Sequence, residues 1–216
     1  MAATRNMYKD MYLYAGMGVF LIGTIIGAGY FGYSWYRNAK EEAAYKDLSE
    51  SLEGYAKVAG SPGLSQKDAS AKWAEVLQAL EVGAQLHSSS SLYPYFLAYQ
   101  ADVLEQQEKN AQALPILDKA VALMDKSHPL YYLYVLKAAL MKSDSSDAAT
   151  AQKGRELVEE LANDNANPFQ DKARYYSALG ARSRGETDAA QKRLQQIITA
   201  GDESSVWYQK ALNSMR

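Results

Sequence analysis

Few side chains in this chain have the type and spacing that catalysis requires. The sequence contains two histidines and no cysteine, so thiol chemistry and thiolate metal sites are excluded. His87 lies beside a run of serines and His128 precedes a proline at the start of a predicted helix, and we interpret both as residues at loop edges. The carboxylate pairs Glu41-Glu42 and Glu159-Glu160 are adjacent in sequence, so the two members of each pair point to different parts of a helix surface.

The common enzyme and cofactor motifs are also missing from the sequence. It has no phosphate-binding loop, no H-E-x-x-H zinc motif, no G-x-S-x-G nucleophile motif and no EF-hand loop. The serine run Ser88–Ser91 is interpreted as a loop. We therefore predict a protein that is not an enzyme and that requires no metal and no cofactor.

Residues suited to recognition are more plentiful. The chain contains 17 tyrosines, and exposed tyrosines with charged neighbours suit peptide-binding and protein-binding surfaces. In the repeat register described below, the side chains predicted to line a partner-binding groove are those of Tyr95, Asp102, Glu105, Tyr132, Lys172, Tyr175 and Arg182. For any single ring, packing between helices is the alternative, and the sequence does not separate the two roles.

A long uncharged segment near the start of the chain sets its class. Asp10 is the last charged residue before this segment and Arg37 is the first after it, so the 26 residues Met11–Tyr36 carry no formal charge. A transmembrane helix needs about 20 apolar residues. Rings that favour the membrane interface lie at both ends: Tyr12, Tyr14, Tyr30, Tyr33, Trp35 and Tyr36. We predict a signal anchor, because a cleaved signal peptide would have an apolar region of about 7–15 residues before a small-residue site.

Small residues give the predicted anchor a packing face. Gly23 and Gly27 form a G-x-x-x-G motif, and Gly16 lies seven residues upstream on a similar face. Ala28 and Gly32 repeat the spacing on an adjacent face. Small residues let helices approach closely in lipid, so we predict packing against a partner helix or self-association. The alternative is that glycine is simply common in membrane helices.

Beyond the anchor, the pattern predicts repeated helix pairs. A tetratricopeptide repeat has about 34 residues, with small residues where its two helices meet. The pairs with the expected spacing of twelve are Ala101 with Ala113, Ala139 with Ala151, and Ala178 with Ala190. Gly185 falls at a turn, where a residue that tolerates positive φ is favoured. The predicted fold is all-α: one N-terminal transmembrane helix, then a tetratricopeptide-like α-solenoid of three to four helix pairs with a C-terminal capping helix. An irregular helical bundle is the alternative.

Breaks in the helical pattern divide the chain into segments. They are a tail (1–10), the anchor (11–36), a juxtamembrane helix and linker (37–66) and the repeat domain (67–216), with helices predicted at 38–59, 67–86, 93–108, 110–124, 129–142, 148–162, 169–184, 187–199 and 203–215. The net charge is −2, and the first 40 residues hold four basic residues and one acidic residue. The remainder is therefore acidic and a poor ligand for nucleic acid. The sequence leaves open whether the helix at 38–59 packs on the repeats or forms a stalk.

The architecture and the closing sequence resemble a known family. A short tail, one signal anchor, a repeat containing Gly185-Glu186-Thr187-Asp188-Ala189-Ala190 and the stretch Tyr175–Met215 are similar to the YfgM-like ancillary SecYEG translocon subunits of bacteria. The resemblance implies an inner-membrane protein whose repeat domain faces the periplasm. It also implies contact with the translocon and with periplasmic chaperones, and it brings no catalytic residues.

The flanking charges leave the orientation open. The N-terminal flank offers Arg5 and Lys9, and the other flank offers Arg37, Lys40 and Lys46, so the positive charges are nearly balanced. The leading hypothesis is a membrane-tethered scaffold that binds proteins of the bacterial envelope. The alternatives are a permanent structural subunit of a large membrane complex and a cytosol-facing receptor for targeting sequences.

Overall fold

Paired helices make up the described part of this protein. The computed structural model describes residues 36–61, 63, 65–128, 130–200 and 203–215. Within those ranges the chain forms nine helices and no strand, so the prediction of an all-helical fold is confirmed for them. The helices are α1 (36–59), α2 (Gln66–Leu86), α3 (Tyr93–Gln106), α4 (Asn110–Leu123), α5 (Tyr131–Ser143), α6 (Ala148–Asn163), α7 (Gln170–Ser183), α8 (Thr187–Ala200) and α9 (Val206–Met215).

Local sequence signals start several of these helices. Ser65 is the N-cap of α2, and its hydroxyl accepts a hydrogen bond from the backbone N–H of Asp68 at 3.2 Å. Asp147 caps α6, and its carboxylate accepts from the N–H of Thr150 at 2.8 Å. Pro94 lies in the first turn of α3, where the helix does not need the missing N–H. The two caps satisfy donors that a helix N-terminus otherwise leaves unpaired.

Each helix packs against the next one along the chain. The most extensive pairings join α3 with α4, α5 with α6 and α7 with α8, while α9 covers both α7 and α8. The buried apolar side chains form three successive clusters, which are centred on α2–α4, on α5–α6 and on α7–α9. The core thus runs along the series of helices, an arrangement that is compatible with an α-solenoid.

The small residues predicted at the helix interfaces are buried. Ala101, Ala113, Ala139, Ala151, Ala178 and Ala190 are each at most 6% exposed. In the middle pair, however, Gly154 occupies the place that alanine holds in the other pairs. Buried residues follow Gly154 at four and seven positions, as they do after Ala113 and Ala190. The middle pair therefore has three more residues before this position than the other pairs, and Gly154 rather than the predicted Ala151 takes this place.

Two glycines allow close approaches between neighbouring helices. A Cβ atom built at Gly154 would lie 2.7 Å from both the carbonyl oxygen of Ala139 and the carbonyl carbon of Lys142, which belong to the backbone of α5. A Cβ atom at Gly83 would overlap the ring of Phe96, which is fully buried. The α5–α6 and α2–α3 distances thus depend on the absence of a side chain at these positions.

The turns within the α3–α4 and α7–α8 pairs share one geometry. Glu108 (φ 61°) and Gly185 (φ 81°) adopt the left-handed conformation, as predicted for Gly185. The N–H after Glu108 donates to the carbonyl of Leu104 at 2.8 Å, and the N–H after Gly185 donates to the carbonyl of Ala181 at 3.0 Å. This conformation has little cost for glycine but costs a residue with a Cβ about 1–2 kcal/mol.

Substitutions at these two turns should move stability in opposite directions. We expect Glu108→Gly to raise the free energy of unfolding by about 0.5–1 kcal/mol, because the relieved strain exceeds the entropy that glycine adds to the unfolded chain. We expect Gly185→Ala to lower it by about 1 kcal/mol. Urea unfolding of the full chain in detergent, followed by circular dichroism, measures both values. A change of the same sign at both turns would contradict the shared geometry.

Helix α1 packs on the helices that follow it, which resolves the alternative of a detached stalk. The rings of Tyr55 and Trp73 meet edge to face with their centres 5.1 Å apart. The Nε2 atom of His87 lies 2.7 Å from a carboxylate oxygen of Asp47, which joins the end of α2 to α1. The His87 ring also stacks on Phe96 at 5.9 Å. This histidine therefore has a structural place in the fold.

The serine run before α3 is held by α1. Oε2 of Glu41 accepts hydrogen bonds from the hydroxyls of Ser90 at 2.6 Å and Ser91 at 3.0 Å, while Oε1 accepts from the backbone N–H of Ser91 at 3.0 Å. The hydrogen bond from Ser90 is the largest reason that the pKa of Glu41 lies below its usual value. These contacts give the run a structural role.

The predicted anchor lies outside the described residues, except for Tyr36. The predicted packing residues Gly16, Gly23, Gly27, Ala28 and Gly32 also lie outside them. Among the helices that the structure does describe, none combines the length and apolar character needed to cross a membrane.

Candidate partner-binding face

A line of side chains crosses the odd-numbered helices at a constant interval. Asp102 on α3, Lys137 on α5, Lys172 on α7 and Trp207 on α9 follow one another every 35 residues. The Nζ atom of Lys137 lies 2.5 Å from Oδ1 of Asp102, and the Nζ atom of Lys172 lies 5.8 Å from the centre of the Trp207 ring. The charge of Lys137 also acts on Lys172. We call these four residues the diagonal band.

The band is diagonal because its interval is shorter than the repeat. The buried alanines of the same helices, Ala101, Ala139 and Ala178, are separated by 38 and 39 residues. An interval of 35 is therefore short by about one helical turn of 3.6 residues. The steps from Asp102 to Lys137 and from Lys137 to Lys172 each move to the next odd-numbered helix and about one turn toward its N-terminus, so the side chain stays on the same face.

Tyrosine rings extend the band to α1. The rings of Tyr55 and Tyr99 have their centres 5.7 Å apart, and Tyr99 belongs to the same apolar cluster as Tyr134 on α5. Burial is the main cause that raises the pKa of Tyr134 and of Tyr55 above the usual value. These phenols therefore stay protonated at neutral pH, and each can donate one hydrogen bond.

An ion cluster occupies the middle of the face. The ammonium group of Lys137 lies 2.5 Å from Asp102 and 2.6 Å from Glu105, and the three side chains are 27%, 15% and 39% exposed. Burial raises the pKa of Asp102, although the ammonium group opposes this change. Burial acts to lower the pKa of Lys137, but the two carboxylates outweigh it and the pKa is raised. Because one cation serves two carboxylates, this part of the face is acidic.

An aromatic–cationic cluster occupies the C-terminal end of the face. The Trp207 ring lies 5.7 Å from the ring of Tyr175 and 6.1 Å from that of Tyr176, measured between centres. The ammonium group of Lys210 lies 4.6 Å from the centre of the Trp207 ring, and that of Lys172 approaches the same ring. A cation within about 6 Å of an aromatic ring is attracted to its face. This end of the face is therefore basic and aromatic.

Four of the predicted groove residues belong to these two clusters. Asp102 and Glu105 lie in the ion cluster, while Lys172 and Tyr175 lie in the aromatic–cationic cluster. The structure therefore brings them together in two groups, which lie on neighbouring odd-numbered helices. The face joins an acidic part to a basic part.

The other three predicted groove residues lie against loops or the last helix. The ring centre of Tyr95 lies 5.2 Å from that of His128 in the α4–α5 loop. Asp164 in the α6–α7 loop lies beside Tyr132 and is the largest cause that raises the pKa of this phenol. Arg182 is exposed and donates to a backbone carbonyl of α9 at 2.7 Å. These contacts place the three side chains around the two clusters rather than within them.

Sequence reasoning missed several residues of the face. The missed side chains are Tyr55, Tyr99, Tyr134, Lys137, Trp207 and Lys210. The 35-residue interval from Asp102 is a signal in the sequence that identifies Lys137 and Trp207, whereas the alanine spacing does not. Trp207 lies on the predicted capping helix, and its ring also joins the face.

Comparisons with known proteins did not identify a family for this chain. No family model matches the chain, and no curated protein matches it. The class of the protein therefore follows from its own residues. Where it is described, the chain is all-helical and built from serially packed helix pairs, and its odd-numbered helices share a face with an aromatic, an acidic and a basic part.

Proposed function

We propose that this protein is a membrane-anchored scaffold whose helices form a tetratricopeptide-like α-solenoid and which binds partner proteins through the diagonal band. The observation that supports this best is the band itself, since α3, α5, α7 and α9 each contribute one side chain at a fixed interval. Repeat proteins bind through extended surfaces to which successive repeats contribute in this way.

The order of the contacts supports the solenoid. In a solenoid each repeat contacts only its neighbours, and a terminal cap covers the last apolar edge. Here α1 to α8 make four successive pairs, and α9 buries Ala211 completely against the last of them. Small residues at each interface allow the paired helices to approach, including Gly154 in the middle pair.

The sequence supports a location in the membrane. The uncharged segment Met11–Tyr36 has the length of a single membrane span. With the resemblance to YfgM-like subunits, we place the protein in the bacterial inner membrane, with its helical domain in the periplasm beside the translocon and its chaperones. The glycine face of the anchor then contacts partner helices or a second copy of the chain. A tether of this kind raises the effective concentration of the scaffold at the membrane.

Site-specific photo-crosslinking in intact cells tests the binding face. A crosslinking amino acid is placed at Leu179 on α7, and at Gln191 or Lys192 on α8 as matched controls; all three positions are exposed. We expect defined adducts from Leu179 and several-fold weaker adducts from the controls. Equal adducts from both sets would contradict binding through this face. A stoichiometric complex that survives mild detergent would instead favour the permanent structural subunit.

Protease accessibility in spheroplasts tests the location. We expect external protease to digest the helical domain while cytosolic controls stay intact. Protection until the membrane is broken would place the domain in the cytosol. That result would reject the periplasmic assignment and favour a cytosol-facing receptor for targeting sequences. It would leave the crosslinking result, and thus the binding face, unaffected.

A further inference from the structure

The two lysines of the aromatic–cationic cluster differ from the lysine of the ion cluster. Lys137 is neutralised by Asp102 and Glu105. For Lys172 and Lys210, no carboxylate among the described residues lies within ion-pairing distance. Their ammonium groups instead lie near the rings of Trp207 and Tyr175, at 4.6–5.9 Å from the ring centres. This end of the face therefore holds positive charge that the described chain does not balance.

The surroundings make this charge available to a ligand. Lys172 is partly buried, and burial lowers its pKa, with further lowering by the charges of Lys137 and Lys210. A negatively charged group placed between Lys172 and Lys210 would relieve their mutual repulsion. The partial burial of Lys172 would strengthen this attraction, since the effective dielectric constant near a protein surface is well below that of water.

The shape of the site favours a peptide over a lipid surface. The rings of Tyr175, Tyr176 and Trp207 are all partly buried against one another. They therefore do not project as rings that insert into lipid headgroups would need to do. The cluster also continues into the diagonal band through Lys172. An extended chain could lie across the rings and continue along the odd-numbered helices.

We propose that the aromatic–cationic cluster binds the side-chain carboxylates of an extended acidic peptide segment in a partner protein. This inference rests on the proposed scaffold function and names the chemistry of its ligand. Lys172 and Lys210 bind the carboxylate, and the rings of Trp207 and Tyr175 pack against the neighbouring apolar atoms of the peptide. The acidic ion cluster around Asp102 repels further negative charge, so the acidic part of the peptide lies toward α9.

Binding of matched peptides to the full chain in uncharged detergent tests this proposal. The probes are short Gly-Glu-Leu repeats with blocked ends, and versions with Gln or Lys in place of Glu, all carrying the same neutral dye. We expect the Glu peptide to bind at least tenfold more tightly than the Gln peptide, with weaker binding as salt rises. The double variant Lys172→Gln/Lys210→Gln should lose this preference, while Lys192→Gln on α8 should keep it.

Several outcomes would overturn the proposal. They are equal affinity for the three peptides, a preference for the Lys peptide, no binding of any peptide, or an unchanged preference in a double variant that circular dichroism shows to be folded. Vesicles containing phosphatidylglycerol form a separate arm. Vesicle binding that the double variant abolishes, without any preference among the peptides, would assign the cluster to lipid. None of these results decides whether partners crosslink to the face, so the scaffold function is judged independently.

Discussion

The substitution Gly154→Ala is expected to lower the free energy of unfolding by about 3 kcal/mol, the largest effect that we predict for a single methyl group. The added Cβ would meet the carbonyl oxygen of Ala139 and the carbonyl carbon of Lys142, both 2.7 Å away. These are backbone atoms of α5, so no side-chain rotation can relieve the overlap. Overpacking of a well-packed core typically costs about 1–3 kcal/mol, and here two helices must separate.

The same substitution at Gly180 is the matched control. Gly180 lies inside α7, and a Cβ there would meet only the end of the Arg184 side chain at 3.4 Å. Because alanine is favoured over glycine by about 1 kcal/mol inside a helix, we expect Gly180→Ala to stabilise the protein slightly. Thermal unfolding of the full chain, followed by circular dichroism, should show Gly154→Ala lower in Tm by about 6–12 °C.

The test is that the two substitutions change the free energy of unfolding in opposite directions. If Gly154→Ala were neutral or stabilising, the α5 and α6 backbones would not be in contact at this position. The insertion inferred for the middle pair would then be wrong as well. If Gly180→Ala destabilised the protein by a similar amount, close helix approach would not be the cause of either loss of stability.

The substitution Lys137→Met is expected to lower the free energy of unfolding by about 2 kcal/mol at neutral pH. It leaves the carboxylates of Asp102 and Glu105 close together without their cation. Removing one partner of a fully buried pair costs about 3–5 kcal/mol. The cost here is smaller, because the Glu105 side chain is 39% exposed and water screens part of the repulsion.

This loss should depend on pH in a defined direction. Burial already raises the pKa of Asp102 in the folded protein, and Lys137→Met removes the ammonium group that opposes it. At a pH between its unfolded and folded pKa values, a carboxyl group whose pKa is raised takes up a proton on folding. Its contribution to the free energy of unfolding therefore falls as pH rises through this interval. The free energy of unfolding that Lys137→Met loses should therefore become smaller as pH falls through the folded pKa of Asp102 toward about 4.

Removing the carboxylates together with the lysine provides the control. The triple variant Lys137→Met/Asp102→Asn/Glu105→Gln leaves no unpaired charge, and we expect it to recover more than half of the lost stability. Urea unfolding across the pH range measures all three proteins. A deficit in Lys137→Met that stays constant with pH, or that the triple variant does not reduce, would show that the lysine stem rather than its charge matters.

The helices themselves were predictable because their signals are local. The pattern predicted a helix over residues 148–162, and the structure has α6 at Ala148–Asn163. Its start depends on the Asp147 side chain, which caps the N–H of a residue three positions later. The left-handed turn at Gly185 was predicted from the glycine itself. Such features depend on neighbours within about one turn of the chain, so the sequence displays them directly.

The candidate site was less predictable because it depends on the offset between helices. Asp102 and Glu105 were placed on one face from their spacing within α3, but Lys137 was not assigned to them. Its position follows from how α5 lies beside α3, across the intervening α4 and the loops on either side of it. Each inserted residue moves a helical position by 1.5 Å along the axis and by about a quarter turn or more around it. A register that is uncertain by three residues therefore does not identify a contact.

The sequence by itself determined the helical class, the approximate element boundaries, the long uncharged segment and the small residues at the interfaces. Only the tertiary structure decided which tyrosines are buried, as for Tyr134 at 6% exposed, and which cations lack a carboxylate. The physical reason is the range of the interactions. Helix formation and turns depend on a few consecutive residues, whereas the pairing of Asp102 with Lys137 and the cluster around Trp207 need separate helices at fixed offsets.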